Sequence, residues 1–287
     1  MFVQLLFMML AIGSIYGSVA LGFTMIWNAA AIVNFAQGEI VMVGALLGLT
    51  FVVILGWPFP IGALVAILGT ALAGVVLDRL VVRPVRKAEF WATVVATLGA
   101  SIFLQNLAMI LWGPEPRTFP SFFGDKPVQI GDVRVIPQTV WIVVIVMALV
   151  LLQDVLFRRT LLGRVLRAVS WDREMASILG ISPNVMIAIT FSISSAMAAA
   201  AGILLAPIFL VSHDMGLAIT LKAFAATIVG GFGSAKGAVA GGLLIGIVEF
   251  LGAFYISSDY RDVVVFASVI LVLLIRPIGI LPTAESK

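Results

Sequence analysis

Three charged side chains, Glu39, Lys222 and Glu249, stand in stretches that are otherwise apolar. A charge held in hydrocarbon is costly, so each is by default a functional-site candidate: a substrate contact, a coupling-ion contact or a proton relay. Glu39 closes a polar interruption, NAAAIVNFAQGE (28–39), that also carries Asn28, Asn34, Gln37 and Gly38. Polar groups at membrane depth are tolerated only when buried in protein or lining a wet cavity. Two readings of this segment stand side by side. In one, a broken helix exposes backbone and amides along a substrate path, with Asn34, Gln37 and Glu39 as pathway residues. In the other, a short inner-face loop leads to a helix start, where the dipole favours an anion such as Glu39. Lys222 either pairs with Glu249 or Glu39, or snorkels to the outer interface.

A second interruption lies at 217–231, LAITLKAFAATIVGG, followed by glycine-dense GGFGSAKGAVAGG. Fifteen helical residues reach about 22 Å, short of a hydrocarbon core of roughly 30 Å. Gly230, Gly231 and Gly233 would break the helix there, giving a half-helix or re-entrant turn. Glycine-interrupted segments in both halves of a chain point to a central binding site, so these glycines join the pathway candidates. The chemistry that is missing narrows the class. No GxxxxGK[ST] phosphate loop occurs, nor HExxH, nor a serine-nucleophile motif. The chain has no cysteine, and its one histidine, His213, lacks a carboxylate cluster. No catalytic, metal or cofactor residue is expected.

The elements that must position these residues are membrane helices. Of 287 residues 62% are hydrophobic and 11% charged, too much apolar surface for a soluble domain. The net charge of +3 is too small to suggest nucleic acid. Candidate spans are 4–27, 37–55, 59–80, 91–112, 138–157, 185–210 and 262–276, with glycine-rich candidates near 217–231 and 237–255. The expected fold is all-α, a single polytopic membrane domain over 1–287 with about eight or nine segments, at least one broken or re-entrant. No Lys or Arg precedes Arg79, so the N-terminus reads as a first membrane helix rather than a cleaved signal. Basic residues cluster at Arg79, Arg83, Arg86 and Lys87, and again at Arg158, Arg159, Arg164, Arg167 and Arg173. Two crossings separate the clusters, so both fall on one face, which the positive-inside rule makes cytoplasmic. That places Arg276 and Lys287 inside and the N-terminus outside. It also leaves an external loop at about 113–137, where VQIGDVRVIP reads as a β-hairpin turning at Gly131-Asp132. Glycines four apart, Gly13/Gly17, Gly44/Gly48, Gly237/Gly241 and Gly242/Gly246, predict close helix packing, within the chain or with a second subunit.

The second basic cluster belongs to a polar island, RRTLLGRVLRAVSWDREMASILGISPN (158–184), between apolar segments. Within it Glu174, Ala176 and Gly180 form E-x-A-x3-G, with Arg173 alongside. This resembles the cytoplasmic loop of ABC importer permeases, which docks onto an ATPase; Met175 departs from the usual Ala. The longer runs 13–45, 83–106, 172–207 and 221–281 resemble the branched-chain amino acid ABC importer permeases of the H type. That resemblance implies ATPase coupling through Arg173, Glu174, Ala176 and Gly180. It also implies a second related permease or a second copy, two cytoplasmic ATPases holding the ATP, and an external solute-binding protein. The implied location is a bacterial inner membrane. The implied activity is import of branched-chain amino acids or related small solutes. The competing class is a self-contained channel or secondary transporter, with Glu39, Lys222 and Glu249 as relay or coupling-ion residues.

Overall fold

The computed structural model describes residues 2–124, 128–130 and 133–281. Its elements run α1 (Phe2–Ala30), α2 (Gln37–Gly48), α3 (Phe59–Leu77), α4 (Arg83–Val85), α5 (Phe90–Trp112), β1 (Val128–Ile130), β2 (Val133–Val135), α6 (Pro137–Arg159), α7 (Leu161–Trp171), α8 (Arg173–Ile178), α9 (Pro183–Leu205), α10 (Met215–Gly230), α11 (Ala235–Tyr255) and α12 (Arg261–Ile275). Seven helices are long and apolar enough to cross a membrane, and α10 is a shorter apolar helix of 16 residues. The fold is an all-α polytopic bundle with one small hairpin.

Local sequence sets the helix ends. Proline occupies the first turn of α3, α6 and α9, where its missing N–H costs nothing. Gly113 (φ +87°) stops α5 and Gly231 (φ +108°) stops α10, both in a backbone region that favours glycine. Ser234 starts α11 by accepting from the Gly237 N–H at 3.1 Å. Two helices widen at their ends into π-helical turns, α2 over Leu49–Ile54 and α3 over Asp78–Val82.

Helix α1 is the centre of the bundle. It is buried on every side from Ala11 through Ile26, as expected of a helix apolar all round. It is packed by α6, α9, α10 and α11. The glycines explain how the backbones approach. A Cβ on Gly13 would lie 2.8 Å from the Leu243 Cα, and one on Gly17 would lie 3.3 Å from the Val239 Cα. Gly242 and Gly246 of α11 press back on Gly17 and Gly13, while Gly241 and Gly237 meet Ala226 and Gly230 of α10. Gly44 and Gly48 meet Ala199 and Ile203 of α9. All four glycine pairs therefore serve packing inside the chain. On the periphery, α3 turns Gly62, Ala66, Thr70 and Gly74 inward, one every fourth residue, and Leu64, Leu68, Leu72 and Val76 outward.

Two segments differ from the sequence expectation. The span expected at 185–210 ends at Leu205, because the chain then leaves the helix and Val211 forms an antiparallel bridge with Arg117. Helix α1 runs on to Ala30, past the first polar interruption's start, before the chain turns at Ala31. In the hairpin, Val128 pairs with Val135 and Ile130 with Val133. Its expected turn, Gly131-Asp132, lies outside the described residues.

Candidate functional site

The polar interruption folds back into the bundle. Ala31 takes a left-handed conformation (φ +55°), rare for a residue with a Cβ, and ends α1 abruptly. The following residues run extended and buried to Asn34, and α2 begins at Gln37. This start lies at mid-depth. Gln37 donates to Ser194 Oγ at 2.9 Å, and Glu39 accepts from Ser101 Oγ at 3.1 Å. Ser194 and Ser101 sit at the midpoints of the 23-residue helices α9 and α5.

A helix start leaves four N–H groups without intrahelical partners. Here each is taken. Phe35 N–H donates to Thr97 Oγ1 (3.3 Å), Ala36 N–H to Asn34 Oδ1 (3.2 Å), Gln37 N–H to Asn34 O (3.1 Å) and Gly38 N–H to Thr220 Oγ1 (3.0 Å). Thr220 belongs to α10, whose first turn abuts that of α2. Gly38 and Gly216 make this meeting possible: a Cβ on Gly38 would overlap Gly216 O and Thr220 Oγ1, and one on Gly216 would overlap the Glu39 carboxylate. Two helix N-termini thus converge, and their partial positive charges face Glu39. Glu39 is fully buried, and its Oε2 has no hydrogen-bond partner. Asn34, Gln37 and Glu39 therefore form one cluster, completed by Thr97, Ser101, Ser194 and Thr220.

The glycine candidates lie at the other end of α10. Gly230 is pressed against Gly237, and Gly231 takes the close approach of Gly279. Ile280 and Leu281 N–H groups cap the Val229 and Gly230 carbonyls at 2.9 Å each. Gly230 and Gly231 are thus buried at a packed helix end. Gly233 (φ +86°) accepts from Asn28 Nδ2 at 3.0 Å and lines an open groove. Lys222, midway along α10, does not snorkel and does not reach Glu39. Its ammonium binds Glu249 Oε1 at 2.5 Å and Asp262 Oδ1 at 2.9 Å, 5.9 Å from the Tyr16 ring centre. This cluster fastens α10 to α11 and α12.

The island forms a short amphipathic layer across one end of the bundle. Thr160 caps α7, and Asp172 caps α8 by accepting from the Glu174 and Met175 N–H groups at 2.9 Å. Leu166 and Val169 of α7 are buried, and Ser170 donates to Asn28 O at the end of α1. Arg173 reaches Ala29 O at 3.4 Å, and Ala176 is only 2% exposed. Ala176 therefore faces the bundle, and Arg173 is half-buried against it. Glu174 and Gly180 face outward. Gly180 (φ +80°) closes α8, with Ile181 N–H donating to Ala176 O at 3.0 Å and open space around its Cα. Around them Trp171 (84% exposed), Ile178 (77%), Leu179 (71%) and Met175 form an uncovered apolar patch. Beneath it Arg86 joins buried Asp78 to Asn184, tying the end of α3 to the start of α9.

Residues 5–273 match the family described as branched-chain amino acid transport system / permease component. The chain belongs to this family. The permease is 36% identical to the high-affinity branched-chain amino acid transport system permease protein LivH of Escherichia coli K12, over 99% of this chain and 96% of that one. It is 35% identical to the corresponding BraD of Pseudomonas aeruginosa, over 96% and 94%. Among solved structures, PsaBC from Streptococcus pneumoniae in complex with Fab aligns with a TM-score of 0.50 at 16% identity, over 96% of this chain and 91% of that chain. At that identity the likeness concerns the fold alone.

Several residues of the permease's polar cluster escaped the sequence reading. Thr97, Ser101, Ser194 and Thr220 are ordinary small residues in apolar helices, where such side chains more often bond their own backbone. For Ser101 and Ser194 the signal is positional: each falls at the middle of its helix. Trp171, Met175, Ile178 and Leu179 carried a clearer sign, large apolar side chains in an island otherwise rich in arginine.

Proposed function

We propose that the permease is the translocation subunit of an ATP-driven ABC importer of branched-chain amino acids or related small solutes. The observation that carries this reading is the island. It is a rigidly capped layer bound to the ends of α1, α3 and α9, and it presents an apolar patch of Trp171, Met175, Ile178 and Leu179 outward. Such a patch beside arginines at a membrane surface suits a soluble protein partner. Glu174 and Gly180 lie in this docking surface, and Arg173 and Ala176 hold it against the bundle. The partners are two cytoplasmic ATPases carrying the ATP, a second permease subunit and an external solute-binding protein. The membrane is a bacterial inner membrane.

The basic cluster near Arg86 and the island meet at one end of the bundle, which supports a cytoplasmic placement of that end. The N-terminus of α1 is then outside, and the C-terminal segment, folded against Gly230 and Gly231, is inside. Asn34, Gln37 and Glu39 supply the mid-depth contact for the solute. Movement of the island acts on α1 through Asn28 and Ala29, next to the turn that positions α2.

Replacing Gly180 by Trp tests the docking role. A side chain at φ +80° strains the turn and adds bulk to the docking face. In proteoliposomes holding the complete transporter, Gly180→Trp is expected to abolish the stimulation of ATP hydrolysis by loaded binding protein, with the permease still inserted. Unchanged stimulation would remove the docking assignment, and uptake by this chain alone on an ion gradient would overturn the importer reading.

A further inference from the structure

A cavity of about 1170 Å³ opens between α1, α6, α7 and α11 at the island end of the bundle. Helix α6 forms one wall: Ile142 and Val146 are buried in one core cluster with Ala11 and Ile15 of α1, and residues between Val150 and Arg158 line the cavity. The lining is graded along the helix axes. Farthest from the island it is apolar, with Leu21, Val150, Val239 and Leu243. At the island rim stand Arg158, Arg167 and Lys236 against one carboxylate, Asp154, which pairs with Arg158 at 2.7 Å. Arg167 and Lys236 make no ion pair among the described residues. Between the two zones lie Thr24 and Gln153. Both are more than nine-tenths buried, and Thr24 Oγ1 and Gln153 Oε1 have no hydrogen-bond partner.

We propose that this groove holds one anionic phospholipid, drawn from the leaflet on the island side. The order of chemistry along the groove is that of such a lipid: charge, then hydrogen-bonding groups, then hydrocarbon. Arg167 and Lys236 take the phosphate, as unpaired basic groups at a membrane surface do. The Thr24 hydroxyl and the Gln153 side-chain amide N–H donate to the ester carbonyls. The acyl chains run along Leu21, Val150, Val239 and Leu243. The groove is larger than ordinary small-ligand pockets of roughly 300–1,000 Å³, so an amino-acid-sized solute would leave most of it unfilled. Only the choice of leaflet rests on the importer orientation proposed above.

The test uses the full chain with its co-purifying subunits, delipidated and placed in micelles holding equal phosphatidylglycerol and phosphatidylethanolamine. Retained phospholipid is read by mass spectrometry. Phosphatidylglycerol is expected to be enriched on the native chain. The Arg167→Gln/Lys236→Gln double variant is expected to bind it about 25-fold more weakly, at roughly fivefold per basic residue, and to retain the two lipids in the micelle ratio. Both side chains are exposed, and circular dichroism checks that the helices persist. Equal retention on the native chain, or unchanged enrichment in the variant, would overturn the proposal. So would displacement of the lipid by millimolar inorganic phosphate or by leucine. Cross-linking of an Ala240→Cys variant to the second permease subunit would show that protein covers the groove, and would equally overturn it; the chain has no other cysteine. Lipid retention is read without transport, so a failed importer assignment would leave this result standing.

Discussion

Gly216 and Glu39 constrain each other. The carboxylate occupies the space a Cβ at 216 would need, at the point where two helix starts converge. Gly216→Ala should therefore lower the melting temperature and uptake sharply, because a buried carboxylate with no room to move must shift. Adding Glu39→Ala should restore part of the melting temperature but not uptake, since space returns while the anion does not. Removing the anion alone should cost about 1–2 kcal/mol of stability from its two helix termini. If Gly216→Ala melts like the parent protein, the junction is looser than described. Sequence alone could single out Glu39, because a charge in an apolar run is conspicuous. It could not single out Gly216, since one glycine among 27 gives no sign of which carboxylate it meets.

At the scale of elements, α10 is held at both ends and in the middle. Thr220 joins its start to α2, the Lys222 cluster joins it to α11 and α12, and Ile280 and Leu281 cap its last carbonyls. Lys222→Met would leave Glu249 buried without its cation, a loss expected to cost about 3–5 kcal/mol. Lys222→Met/Glu249→Leu should recover most of that, because a well-packed apolar pair can replace a buried ion pair at little cost. Thermal unfolding of both variants in detergent measures this, and a double variant as unstable as the single one would contradict it. The short apolar run and its glycines made α10 visible in the sequence as a helix that stops early. What the glycines contact was not visible, since helix packing depends on partners far along the chain. For the same reason the close contacts of Gly230 with Gly237 and of Gly231 with Gly279 were not legible. The E-x-A-x3-G spacing falls on a short helix in which Ala176 is buried while Glu174 and Gly180 are exposed, a division that spacing alone does not reveal.

At the scale of the whole molecule, the bundle is asymmetric in packing. The outer helices α3, α5 and α6 present broad apolar faces, with Leu68, Ile102 and Leu151 each more than half exposed. Helix α1 is instead enclosed by glycine contacts that tolerate almost no displacement. Backbones in van der Waals contact have few alternative registers, because a shift brings side chains into the space the glycines vacate. In the absence of native cysteines, paired spin labels can be placed freely. Distances between labels near the two ends of α1 and α11 should stay constant through the nucleotide cycle of the transporter, while distances from α1 to the inner half of α6 should change. Equal changes in both sets would mean that the bundle flexes throughout.

The left-handed Ala31 adds a consequence for kinetics. It sits between the enclosed α1 and the polar start of α2, and residue types with a Cβ pay to hold that backbone shape. A hinge that is costly in its resting position behaves like a cocked latch: the island grips the chain at Asn28 and Ala29, within three residues of it. A small pull there has a strained joint to release, and the polar cluster around Glu39 lies directly downstream.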